Sequence, residues 1–177
     1  MIIPLIIGHK GAPKHAPENT MSSFDAALRV GARMVEMDLR LSGDGEVVLI
    51  HDAKINRVSN GRGKVEEMTL EELKALKLKK GERIATLAEV LDRFKGKCEF
   101  NLDLKAEKVG IPALEVVFEK GMLSDVLFSS QAGPQLLELK IKRKDARAAF
   151  SCKDKKMKIL EQKVINKCIF SLYILLI

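Results

Sequence analysis

Residues 33–52 read Arg-Met-Val-Glu-Met-Asp-Leu-Arg-Leu-Ser-Gly-Asp-Gly-Glu-Val-Val-Leu-Ile-His-Asp. From Arg33 to Leu41 the residues alternate, with Met34, Glu36, Asp38 and Arg40 on one face and Val35, Met37, Leu39 and Leu41 on the other. That period of two predicts a strand. Gly43-Asp44-Gly45 signals a tight turn, and Glu46 to Ile50 reads as a second strand. So short a turn joins antiparallel strands only. Counting outward from Asp44 places His51 opposite Glu36 to Met37, about two residues from Asp38. Cross-strand neighbours lie about 5 Å apart and diagonals about 7–8 Å. One hairpin therefore gathers two carboxylates and an imidazole.

Upstream, Ile2 to Ile7 is an apolar β-branched run that stops at Gly8-His9, the pattern of a strand buried on both faces. Thr20 is placed to cap a helix carrying Phe24, Ala27 and Leu28, stopped by Gly31. Downstream, Thr69 with Glu72 and Thr86 with Glu89 are two capping-box signatures. Residues 97–104 read as a strand with Asn101, Asp103 and Lys105 on one face. Helices are expected over 112–120 and 132–142, and strands over 125–129 and 146–150. Main strands at 2–8, 33–40, 98–104, 125–129 and 146–150, alternating with helices, predict an α/β fold with a parallel sheet. The 46–51 strand and a 69–78 helix form an excursion after the second strand, an insertion spanning about residues 42–83.

Composition narrows the function. The chain has 177 residues, 46% apolar and 31% charged, enough for one packed domain. Of the formal +7, residues 153–177 hold six lysines against Asp154 and Glu161, leaving +3 for the preceding 152 residues. That is too little charge to indicate a nucleic-acid binder. The lysine-rich stretches 140–147 and 153–158 could serve a basic interaction protein, but solvated helix faces explain them better. Cys98, Cys152 and Cys168 have no metal-type spacing and fit a reducing, cytoplasmic setting. No apolar run approaches the roughly 20 residues of a transmembrane segment, and Met1 to Ile7 reads as a strand rather than a signal peptide.

Four clusters carry chemistry: Gly8-His9-Lys10-Gly11, Glu36-Met37-Asp38, His51-Asp52, and Asn101 to Lys105. Each falls at the C-terminal end of an expected strand or on the hairpin above it, where barrel enzymes build their sites. Glu36, Asp38 and Asp103 are three like charges that together need a cation, and oxygen ligands suit Mg²⁺ or Ca²⁺. His9 and His51 are imidazoles, the side chain suited to exchanging a proton with a leaving group or nucleophile near neutral pH. Lys10 and Lys105 add the positive charge a phosphate requires. Singly, each cluster has a plainer explanation: a structural histidine, a solvated strand face, a surface Asp103–Lys105 ion pair. His15 has no converging partner and is expected to be structural.

These residues also carry a family resemblance. Gly-His-Lys-Gly-Ala at 8–12, Ala-Pro-Glu-Asn-Thr at 16–20 with Phe24 and Ala27, Gly31-Ala32 and the Glu36-x-Asp38 strand come in order. Asp44-Gly45, the Val-Val-Leu-Ile-His-Asp string at 47–52, Arg57, Gly61-x-Gly63, Thr86-Leu87, Asp103-Leu104-Lys105 and Phe128-Ser129-Ser130 follow. Across roughly the first 150 residues the chain resembles the glycerophosphodiester phosphodiesterases. The resemblance implies a TIM (β/α) barrel of the phospholipase-C-like phosphodiesterase type, with a small insertion after the second strand. It implies one divalent cation on Glu36, Asp38 and Asp103, His9 and His51 as the acid–base pair, and Lys10 and Lys105 beside the phosphate. The implied reaction is hydrolysis of a glycerophosphodiester to sn-glycerol 3-phosphate and an alcohol. Two positions depart from the family pattern: Lys10 stands where Arg is usual, and Asp103 where Glu is usual.

Length departs further, since a (β/α)₈ domain runs to about 250 residues. Only five barrel strands are expected before Lys153, so the barrel reads as incomplete: a domain over 1–152 and a divergent tail over 153–177. A frameshift or premature end near Cys152 would explain the change of character there. The chain has no Trp, and its one Tyr is Tyr173, so the aromatic that the family sets over the substrate has no counterpart before the tail. The alternative to an active enzyme is a weak or inactive fragment that keeps metal or phosphate binding. Open barrel edges predict self-association.

Overall fold

A computed structural model of the protein describes residues 5–151. In order it contains β1 (Ile7–Gly8), α1 (Met21–Arg29), β2 (Met34–Leu41), β3 (Val47–Leu49), α2 (Leu70–Ala75) and α3 (Leu87–Phe94). Then follow β4 (Glu99–Leu104), α4 (Gly110–Glu119), β5 (Val126–Ser130), α5 (Gly133–Lys142) and β6 (Arg147–Phe150). The strands lie in the order β1-β2-β4-β5-β6, every neighbouring pair parallel, with β3 antiparallel to the upper end of β2. This is the expected α/β architecture. Among the described residues no helix is long and apolar enough to cross a membrane. Residues 2–4 of the first expected strand, and the expected tail 153–177, lie outside the described residues.

Local chemistry sets the helix starts. Thr20 caps α1 by accepting from the Ser23 amide. Both capping boxes form, Thr69 with Glu72 on α2 and Thr86 with Glu89 on α3. Several boundaries differ from expectation. The first strand, expected over 2–8 and buried on both faces, pairs only over Ile7–Gly8, each of them half-buried, and Leu5 and Ile6 before it are exposed. The 69–78 helix ends at Ala75, because Leu76 turns extended (φ −72°, ψ 147°) and Leu78 instead bridges Ser59. Strand 46–51 pairs as a strand only over Val47–Leu49, although the Ile50 amide still donates to the Asp38 carbonyl at 3.0 Å. The helix expected from Pro112 begins at Gly110; the proline sits in its first turn, where no intrahelical amide donor is needed.

Packing divides the sheet's two faces. Val35, Met37, Leu39, Phe100, Leu102, Leu104, Val126 and Phe128 share one core with Phe24, Leu87, Phe94, Leu114 and Leu136 of the helices. Phe24 meets Phe94 edge to face, with centroids 6.0 Å apart. Alternation then turns Glu36, Asp38, Asn101, Asp103 and Ser129 to the opposite face, and all five are buried. The excursion between β2 and α3 has a small core of its own: Val48, Ile50, Ile55, Val65, Leu73, Leu78 and Ile84.

The loop after β1 is pressed onto α1. The Ala12 amide donates to Ser23 Oγ at 2.8 Å, and that hydroxyl donates to the Lys10 carbonyl at 2.8 Å. Gly11 sits at φ +82°, and a Cβ there would lie 2.6 Å from the Ser23 carbonyl carbon. Gly11→Ala is therefore expected to lower stability by about 1–3 kcal/mol. The measurement is the urea midpoint at unchanged m-value; an unmoved midpoint would show that the loop leaves α1 without cost.

Candidate active site

The β2–β4 register sets Asp38 directly beside Asp103, and Glu36 beside Asn101. One oxygen from each of Glu36, Asp38 and Asp103 lies within 4.8 Å of the other two. Glu36 and Asp38 are 0% exposed and Asp103 4%, so they form neither a solvated strand face nor a surface ion pair.

Other groups partly offset this repulsion. The Lys10 backbone amide, in a left-handed turn at φ +54°, donates to Glu36 Oε2 at 2.7 Å. Its Nζ lies 3.6 Å from Asp38 and 3.5 Å from Glu18. Lys105 Nζ sits 2.5 Å from Asp103 Oδ2 and 3.3 Å from Asp38 Oδ1. Burial works against the charge on Lys105, but its bonds to Asp103 and Asp38 prevail and raise its pKa. Even so, Glu36 Oε1 and Asp103 Oδ1 accept no hydrogen bond, and Asp38 Oδ1 has only its ion-pair contact with Lys105. Burial, reinforced by the Asp38 charge, pushes Glu36 up to about 8. Three buried carboxylates, two of them with an oxygen that has no partner, are a donor set that fits a hard divalent cation.

Both histidines stand at the edge of this cluster. His9 Nε2 lies 3.8 Å from Glu36 Oε2, with its side chain 47% exposed; burial and then the Lys10 charge lower its pKa. His51, 36% exposed, holds its Nδ1 2.7 Å from Asp52 Oδ1, and its carbonyl accepts from Arg40 Nε at 2.9 Å. With Asp103, Lys105, Arg40, Ser130 and Gln135 it lines an open pocket of about 400 Å³. His15 is exposed and takes no part; only its carbonyl is engaged, by Lys80.

Three residues here received no role from the sequence. Asn19, in the left-handed region at φ +58°, donates from Nδ2 to Asp38 Oδ2 at 2.8 Å and accepts the Asp38 amide at 3.1 Å. Arg57 reaches Asp52 through Nε at 2.5 Å and Glu18 through both terminal nitrogens at 2.7 and 2.9 Å. Its hydrogen bonds bring Asp52 down to about 2 and lower Glu18. Signals were present: Glu18 and Asn19 stand in the Ala-Pro-Glu-Asn-Thr string and Arg57 is another position of the family pattern, while Asn tolerates the left-handed turn.

A sequence profile described as the Glycerophosphoryl diester phosphodiesterase family matches residues 9–165. The chain belongs to that family. A glycerophosphodiester phosphodiesterase of Caldanaerobacter subterraneus subsp. tengcongensis is 40% identical over 120 residues, which are 63% of this chain and 49% of that protein. The crystal structure of a glycerophosphodiester phosphodiesterase from Agrobacterium tumefaciens is similar at TM-score 0.79 and 30% identity, over 84% of this chain and 67% of that one. An Oleispira antarctica phosphodiesterase, in complex with the product sn-glycerol-3-phosphate, is similar at TM-score 0.82 and 30% identity, over 90% and 70%. The solved neighbours are TIM-barrel proteins, and the parallel sheet here is an arc of that barrel. The chain spans about half the length of the curated relatives it matches.

The raised Glu36 has a stability signature. Its folded-state pKa of about 8 exceeds the ordinary 4.5, so between these values the folded chain binds more protons than the unfolded one. Its contribution is full below the lower value and is lost as pH rises toward and through the upper. In chelator, the parent should lose stability over that window relative to Glu36→Gln. Added Mg²⁺ or Ca²⁺ at alkaline pH should raise the parent's unfolding midpoint and leave the variant's unmoved. A parent-to-variant difference independent of both pH and metal would refute this account of the cluster.

Proposed function

We propose that this chain's family domain hydrolyses glycerophosphodiesters to sn-glycerol 3-phosphate and an alcohol. Glu36, Asp38 and Asp103 hold one divalent cation, Mg²⁺ or Ca²⁺, and His9 and His51 are the acid–base pair. The observation that carries this reading is one end of one sheet: three buried, converging carboxylates flanked by two part-exposed imidazoles and two lysines. Family membership and the product complex of the Oleispira antarctica phosphodiesterase support the substrate class.

A cation on the carboxylates would supply charge to a phosphoryl oxygen. Lys10 and Lys105 present ammonium groups toward the same region and act on the phosphate as point charges. His9 and His51 come from different elements, one after β1 and one after β3. In this reading they lie on either side of the diester: one takes a proton from the attacking water as its oxygen bonds to phosphorus, and the other protonates the alkoxide that leaves.

A second reading is a catalytically weak or inactive fragment that retains metal and phosphate binding, which the carboxylate cluster and its two lysines would supply without turnover. The proposal keeps a domain over 1–152 with a divergent tail, a cytoplasmic setting, and association between copies through β1 and β6. Those two are the outermost strands among the described residues.

Release of sn-glycerol 3-phosphate from glycerophosphocholine or glycerophosphoglycerol, with and without divalent metal, tests the reaction. His9→Ala and His51→Ala should each lower turnover by about 10²–10⁴-fold, and chelation should abolish it. Near-parental turnover in either variant would strike that histidine from the mechanism. Metal-dependent stabilisation without turnover would establish the second reading. Size-exclusion chromatography should show a dimer or larger species, and a compact monomer would count against edge association.

A further inference from the structure

Beside the carboxylate cluster, four side chains form an unbroken line of contacts. His51 Nδ1 meets Asp52 Oδ1 at 2.7 Å, Asp52 Oδ2 meets Arg57 Nε at 2.5 Å, and the Arg57 terminal nitrogens meet the two Glu18 oxygens at 2.9 and 2.7 Å. The line runs from the excursion to the N-terminal loop, and Glu18 ends 3.5 Å from Lys10 Nζ.

Stability is a poor explanation for it. The side chains are 22–49% exposed, and ion pairs so open to water contribute little. Geometry is a better one. A carboxylate on one imidazole nitrogen selects the tautomer with the proton there and leaves the other nitrogen free. A carboxylate held at one oxygen alone can swing; Arg57 fixes the second oxygen of Asp52. The rigid guanidinium fork fixes its own orientation by spending its other face on Glu18. The His51 backbone is tied as well, through its carbonyl to Arg40.

We infer that Asp52, Arg57 and Glu18 are positioning residues that hold the His51 imidazole in its Nδ1–H form, leaving Nε2 free for proton transfer. The inference rests on the acid–base role proposed above for His51. It assigns Glu18 a double duty, since the same carboxylate orients Arg57 and faces the lysine on the phosphate side.

Two variants of the full chain test it, Asp52→Asn and Arg57→Lys. The first readout is the His51 tautomer, from long-range ¹H–¹⁵N correlation at alkaline pH. The parent should show Nδ1–H, and Asp52→Asn should shift population to Nε2–H, because an amide can donate to Nδ1. The second is the kinetic split: kcat lower by about 10–100-fold, as for other residues that orient a functional imidazole, with KM nearly unchanged. Arg57→Lys keeps the charge and loses the fork, so a smaller fall in kcat is expected; full activity there would remove Arg57 and Glu18 from the positioning set. Thermal midpoints should stay near the parent's in both. A tautomer unmoved by Asp52→Asn overturns the inference whether or not the chain turns over, and so does parental kcat alongside a shifted tautomer. A chain without measurable hydrolysis would sink the proposed function, while the NMR result would still decide this one.

Discussion

Asp38 and Asp103 face each other across two parallel strands, both buried. Like charges in that position repel, and burial removes the water that would screen them. Sliding the register by one residue would relieve the clash but turn Val35, Met37 and Leu39 away from the helices. The apolar core therefore fixes the register, and the register forces the carboxylates together. Nearby polar groups answer that conflict. The loop after β1 aims the Lys10 amide at Glu36, the 16–20 segment supplies Asn19, and the end of β4 supplies Lys105. Gly11 and Ser23 keep the first of these in place.

Much of this was legible because the signals are local. Period-two alternation over 33–41, two capping boxes and one glycine turn placed the strand, the helices and the hairpin. The observed register, Leu39 with Leu49, continues to Met37 with His51, within the interval counted from the turn. The role of Asn19 was not legible, because it meets Asp38 across 19 residues by a path that no periodicity encodes. Arg57 and Glu18 meet across 39. The over-long helix at 69–78 has a related cause. Leu76 and Leu78 suit a helix face, yet the excursion's core takes them from an extended segment.

The two departures from the family pattern are accommodated differently. Asp103 is one methylene shorter than the usual glutamate, yet its carboxylate still comes within 4.8 Å of both partners. No large shift of backbone is needed to assemble the cluster. Lys10 serves two carboxylates as a point charge at 3.5 and 3.6 Å, a job that needs no fork. What a lysine cannot do there is grip a phosphate through two parallel bonds.

The excursion's separate core has a dynamic consequence. A segment whose apolar side chains pack mainly on one another unfolds as a cooperative unit, at lower cost than the sheet beneath it. When that unit opens, His51, Asp52 and Arg57 leave together, while Glu36, Asp38, Asp103 and His9 stay on the barrel arc. The site is thus divided between a rigid half that carries the charge and a hinged half that carries one imidazole. Amide exchange would see these as two separate foldons joined along the β2–β3 ladder, which the Ile50 amide on the Asp38 carbonyl extends by one bond.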